Sequence, residues 1–187
     1  MNTISFSCEV PVRYDVDICI TGAGPGGVAA AVTAARQGAK VLLLDAHTMP
    51  GGMSTAARVP VLMTVSDGIR LLPDGFGREI IDRSTAAAQA HNFDNGWLPL
   101  HAEQLKWIYE DLLTQAGVEL LYYARLAAVR TENGTVRETI YAAPSGLFAV
   151  TTAAAPFSIA MGINRFPSEA KPEMATNRLP GVTFRES

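Results

Sequence analysis

The alternation of apolar and polar positions divides the chain into short elements punctuated by glycine turns. Residues 17–21, Asp-Ile-Cys-Ile-Thr, form a short β-rich run of the kind that makes a buried parallel strand. Residues 28–37 are small, apolar and helix-compatible, and Gly38 supplies a C-terminal stop. Val41-Leu42-Leu43-Leu44 is a second apolar strand, closed by Asp45. Residues 76–91 predict a helix with Phe76, Ile80 and Ile81 towards one face. Residues 101–116 predict an amphipathic helix, because Leu105, Ile108, Leu112 and Leu113 recur at i, i+3, i+7 and i+8 and Gly117 ends the run. Strands follow at 118–123, 126–130, 136–143 and 147–152, with Asn133-Gly134 and Pro144-Ser145-Gly146 as the turns between the last three. Residues 1–14 read as a leading strand or arm in which Pro11 limits any ladder, and 56–73 and 92–99 read as loop. The whole predicts an α/β fold, with a right-handed helical crossover to the third strand and a small antiparallel β-meander after it.

Between the first strand and the helix, Gly22-Ala23-Gly24-Pro25-Gly26-Gly27 spells G-x-G-x-x-G. Gly22 permits the sharp turn, a side chain at Gly24 would keep a pyrophosphate off the backbone, and Gly27 with Ala30, Ala31 and Ala34 lets helix and sheet approach closely. The unpaired N–H groups of the helix N-terminus, and its dipole, favour an anion there, so the whole turn, Pro25 and Gly26 included, is a candidate pyrophosphate cradle. Asp45 lies about 20 residues beyond the first glycine, where a carboxylate can accept both ribose hydroxyl protons and would repel a 2′-phosphate. Gly51-Gly52 follows shortly after; side-chain-free backbone there can lie against a flat ligand, and Ser54 and Thr55 add hydroxyls. This constellation predicts dinucleotide binding but does not choose between FAD and NAD.

Composition narrows the picture. In 187 residues, 48% are hydrophobic and 18% charged, which describes a globular core of one domain with, at most, part of another. A net charge of −3 and a pI near 5.6 leave no basic footprint for nucleic acid. No apolar run approaches a membrane span, and MNTISFSCEVPVRYD has neither a basic start nor an apolar signal core, so a cytoplasmic protein is expected. Cys8 and Cys19 exclude a disulfide framework and cannot supply the four thiolates of a typical iron–sulfur cluster. Cys19 reads as a small core hydrophobe. His47, His91 and His101 show no metal-ligand spacing and read as surface or packing residues, as do Trp107 and Tyr109 on their helix.

The strand-turn-helix-strand stretch 16–45, the PGGMST loop, GFGREIIDR, LKWIYEDLLTQAGVELLYYA and ENGTVRETIYAAPSGLFAV together resemble the FAD-dependent oxidoreductase family, two-dinucleotide-fold flavoproteins of the glutathione-reductase type. The resemblance covers roughly residues 11–152, and the order of the five pieces favours FAD over NAD. It implies a Rossmann-like FAD-binding domain over residues 1–152, incomplete at its C-terminal side, and an oxidoreductase whose hydride or electron transfer runs through the flavin. By resemblance, Gly22, Gly24 and Gly27 hold the FAD pyrophosphate, Asp45 the adenosine ribose, Gly51, Gly52 and Ser54 the ribityl or flavin end, and the backbone around Leu126 the adenine. No residue matches a catalytic acid, base or redox cysteine of such enzymes, and the substrate stays unnamed. Two other functions stay open: an NAD-binding dehydrogenase domain, and a non-enzymatic nucleotide-binding module completed by a partner chain or by self-association through an uncovered sheet surface.

Residues 153–187 depart from the pattern. The family carries an Asp-x-Thr-Gly-Asp segment after the meander; here the chain has Pro156, Pro167, Pro172 and Pro180 and no Thr-Gly-Asp, which predicts an irregular or disordered tail. Codons for Ser158-Ile159-Ala160-Met161-Gly162-Ile163 can, read two bases later, give Asp-Cys-x-Gly-Asp, so the tail is expected to be an out-of-frame reading of a longer gene. Sequencing the locus checks this: a flavoprotein remnant in the shifted frame is the expected result, and an intact frame without one refutes it.

Overall fold

The computed structural model describes residues 7–59, 61–88, 96–133 and 135–152. The tail 153–187, the predicted helix positions 89–91 and positions 92–95 of the predicted loop lie outside these residues, as does Gly134 of a predicted turn.

The chain enters on β1 (Val12–Val16), directly after Pro11, and one residue later continues as β2 (Ile18–Thr21). Helix α1 (Pro25–Arg36) starts three residues earlier than its apolar run, because Pro25 at the first helical position has a preset φ and no N–H to leave unpaired. It leads to β3 (Val41–Leu44), which pairs in parallel with β2 from Ile18↔Val41 to Thr21↔Leu44. Next come β4 (Val61–Met63), α2 (Gly75–Ala88), β5 (Trp97–Pro99) and α3 (Ala102–Ala116). Gly117 ends α3 in the left-handed region, at φ 76°. Strand β6 (Glu119–Leu121) joins β3 in parallel, giving the order β2-β3-β6. Strands β7 (Arg125–Glu132), β8 (Thr135–Ala143) and β9 (Gly146–Thr152) form the expected meander, and β1 adds to it in parallel beside β9.

Two strands replace expected loop. β4 and β5 pair antiparallel across the α2 excursion, with Met63 opposite Trp97. Three-residue strands carry no readable alternation, and their pairing is set by distant chain rather than local pattern.

The parallel sheet sits between two apolar layers because its side chains alternate. Ile20, Val41 and Leu43 face the helices, where they meet Val28, Ala31 and Val32 of α1 and Leu105, Tyr109, Leu112 and Leu113 of α3. Cys19, Leu42 and Leu44 face the meander and pack with Val16, Tyr141, Phe148 and Val150. Every residue of β3 is buried, as a strand covered on both faces requires. Tyr141 and Phe148 stack with ring centroids 5.6 Å apart. Cys19 is the core residue expected, its Sγ 3.3 Å from the Tyr141 hydroxyl, while that hydroxyl lies 2.6 Å from Thr21 Oγ1. On the outer side, Glu79 of α2 binds Arg36 of α1 and Arg83, and Arg83 also reaches Asp111 of α3. The Arg36 bond holds the Glu79 carboxyl below its ordinary range.

Truncating Leu43 to Ala opens a cavity under both helices, and a loss of roughly 2–5 kcal/mol is expected in urea denaturation. Burial pushes the Tyr109 phenol from 10.0 up to about 12. The folded state therefore keeps a proton that the unfolded chain releases, so this contribution is complete below pH 10 and is lost as pH rises towards 12. Urea midpoints at about pH 9 and about pH 11 should show a shallower alkaline decline in Tyr109→Phe than in the parent chain.

Candidate functional site

The first glycine turn leaves β2 where Gly22, at φ 101°, donates its N–H to Leu44 O at 2.7 Å. Only a residue without Cβ adopts that backbone at no cost. Gly24 is the N-cap of α1, and its carbonyl accepts the Val28 N–H at 2.9 Å. A Cβ built on Gly24 would meet nothing within 4 Å, so the backbone there is open to a ligand. A Cβ on Gly27 would stand 1.9 Å from Gly22 O; this glycine exists for the close packing of helix on turn. Pro25 and Gly26 form the first turn of α1, and that turn carries no acidic residue to oppose a phosphate.

Asp45 ties this turn to β3. Its carboxylate is buried, and the Ala23 N–H donates to Oδ2 at 2.6 Å. The His47 N–H donates to Oδ1 at 2.7 Å, and His47 Nδ1 lies 2.8 Å from the same oxygen. The Asp45 backbone is held as well: its N–H donates to Leu121 O and its carbonyl accepts from the Ala124 N–H. Beside it, the Tyr122 hydroxyl donates to Glu110 Oε1 at 2.9 Å; burial, then Glu110, then the Asp45 charge push that phenol upward.

The second glycine pair closes over the first. Gly51 donates its N–H to Ala23 O at 2.6 Å, and a Cβ on Gly52 would come 3.4 Å from Gly24 Cα. A Cβ on Gly51, at φ 101°, would lie 2.5 Å from Thr55 Cγ2 and 2.9 Å from Tyr109 Cε2. Gly51 is thus required by packing as much as by any ligand. Ser54 is buried in the 3-10 turn Gly52–Ser54. Thr55 is not the free hydroxyl that the sequence suggested, for it donates inward to Pro50 O and closes its own loop.

Gly22, Gly24, Pro25, Gly26, Gly27, Asp45, Gly51, Gly52 and Ser54 therefore lie along one linked set of loops. Leu126 is next to it in the chain: Ala124, two residues before, is bonded to Asp45, and Leu126 is the second residue of β7, an edge strand of the four-stranded sheet. Its side chain packs against the meander core, which leaves the backbone as the part able to meet an adenine. Two contributors were missed. Ala23, the variable position of G-x-G, joins Asp45 to Gly51; nothing in its residue type signals this. His47 reads from the sequence as a surface or packing residue, although a carboxylate two residues before an N–H is the signature of an Asx turn.

A profile of the FAD dependent oxidoreductase family matches residues 17–156. The chain belongs to that family. The family's description indicates FAD rather than NAD as the cofactor. A ferredoxin–NADP reductase of Saccharopolyspora erythraea is 34% identical over 108 residues, 57% of this chain and 32% of the relative. A glutathione reductase of Burkholderia cepacia is 33% identical over 114 residues, 58% of this chain and 24% of the relative. The chain thus matches only about a third or less of these relatives' length. The structure of Thermovibrio ammonificans THI4 superposes with a TM-score of 0.53 at 18% identity, over 74% of this chain and 55% of that one, a likeness of fold. Among the described residues no helix is long and apolar enough to cross a membrane.

For this family member, Asp45→Ala should leave the buried Ala23 N–H without its acceptor and lower stability by roughly 1–3 kcal/mol, as thermal or urea unfolding would register.

Proposed function

We propose that this chain binds the adenosine diphosphate end of FAD across the Gly22–Gly27 turn and forms the amino-terminal part of an FAD-dependent oxidoreductase. The observation that carries the reading is the open backbone at Gly24, at the N-terminus of α1, beside an acid anchored at the end of the next strand. In this reading the N–H groups of the turn and of the first turn of α1 receive the pyrophosphate. Asp45 accepts hydrogen bonds from the ribose, and backbone near Leu126 borders the adenine. Gly51, Gly52 and Ser54 border the ribityl or flavin end. The residues present fit the nucleotide half of the cofactor; FAD, when bound, supplies the hydride or electron transfer. The chain's own groups bind, orient and exclude water, and no acid, base or thiol among them is assigned a proton or electron.

Residues 1–152 are proposed as the cofactor-binding unit, with the tail 153–187 out of frame, and the cytoplasm as its compartment. The substrate region and the second flavin-binding segment then come from elsewhere, in a longer product or a partner chain. Half a site holds the whole cofactor weakly, since each missing contact is lost while the cost of immobilising the ligand stays.

Absorbance of the purified 187-residue chain should accordingly show little or no flavin. Titration should give weak FAD binding that ADP competes for, and weaker NADH binding. A yellow protein near stoichiometric occupancy overturns the half-site reading, and a clear preference for NADH overturns the FAD reading.

A further inference from the structure

We propose that His47 sets how many sugar hydroxyls Asp45 can accept, and thereby the ribose selectivity of this site; the proposal rests on the nucleotide reading above. An ionised carboxylate is acceptor-only and offers about four lone-pair positions on its two oxygens. Among the described residues, three donors already meet Asp45: Ala23 N–H on Oδ2, and His47 N–H and His47 Nδ1 on Oδ1. Because the partner can only accept, Nδ1 carries the proton in this pair. Oδ1 is thus saturated, and a ribose that approaches with two vicinal hydroxyls finds one acceptor position, on Oδ2, rather than two.

The ring is not easily displaced, although its side chain is 68% exposed. His47 is pinned on both sides of its Cα: its N–H is held by Asp45, and its carbonyl accepts the Tyr123 N–H at 3.1 Å. The backbone therefore delivers the imidazole to Oδ1 as an intramolecular donor, at an effective concentration that an incoming hydroxyl must beat. Without the ring, the backbone N–H remains on Oδ1 and the second lone pair is released. A sugar can then use both oxygens, and losing one hydroxyl begins to matter.

The test uses ADP and 2′-deoxy-ADP, titrated calorimetrically into the full chain, with His47→Ala and His47→Asn beside it. In the parent chain the two nucleotides should bind within about threefold of each other, because the 3′-hydroxyl can fill the single position. In His47→Ala the preference for ADP should rise to about tenfold, the size of one net hydrogen bond to a charged group. His47→Asn returns a donor near the Nδ1 position and should restore the parent ratio. A general structural role would weaken both nucleotides alike and leave the ratio unmoved, which overturns the proposal, as does failure of Asn to restore it. A tenfold preference already present in the parent chain also overturns it, while leaving the nucleotide reading intact. If none of the three proteins binds ADP, the nucleotide reading falls and takes the proposal with it.

Discussion

The contact between the Ala23 N–H and the Asp45 carboxylate is the constraint on which the site depends. It closes the first βαβ unit at its ligand end, joining the turn after β2 to the end of β3. Ala23 then passes the restraint on, since its carbonyl holds Gly51. One residue with 0% exposure thus positions both glycine loops. A buried N–H with a charged acceptor is a strong hydrogen bond, and leaving it unmade would be costly, so the loops share a single arrangement before any ligand arrives. Preorganisation of this kind lowers the ordering cost of binding.

The apolar layers make that contact possible. β3 is buried on both faces, so its end cannot drift, and Asp45 inherits its position from Leu42, Leu43 and Leu44. Tyr109 links α3 to the site from below: it belongs to the helix-side core, and its ring edge is the surface against which Gly51 lies. The absence of a side chain at Gly51 therefore records a packing demand. The sequence points this glycine pair at a ligand, yet the inner side of Gly51 faces Thr55 and Tyr109 of the protein itself.

What was legible in the sequence was what local pattern encodes. Residues 17–45 announce strand, turn, helix and strand because every element there is contiguous and its periodicity unbroken, and the structure has them within a few residues. The meander and α3 were legible for the same reason, with Gly117 at positive φ ending α3 and Gly146 at positive φ in the turn from β8 to β9. The β4–β5 ribbon and the β1–β9 pairing were not, since each joins segments far apart in the chain and three to seven residues long. Within the site, glycines and the acid stood out by residue type. Ala23 contributes only backbone, which no side-chain pattern reveals, and His47 acts through a local turn that was visible at Asp45 but unread.

The single residue between β1 and β2 has a mechanical consequence. Asp17 alone separates a strand of the meander sheet from a strand of the parallel sheet, and its carboxylate binds the Lys40 N–H at the mouth of β3. The chain bends at Asp17, and the Asp17 and Ile18 N–H groups both donate to Lys40 O, so the two sheets meet at a clamped corner. That clamp fastens the corner to the start of β3, the strand whose far end leads into Asp45, so the junction of the sheets and the acid beside the glycine turn are seated on one four-residue beam.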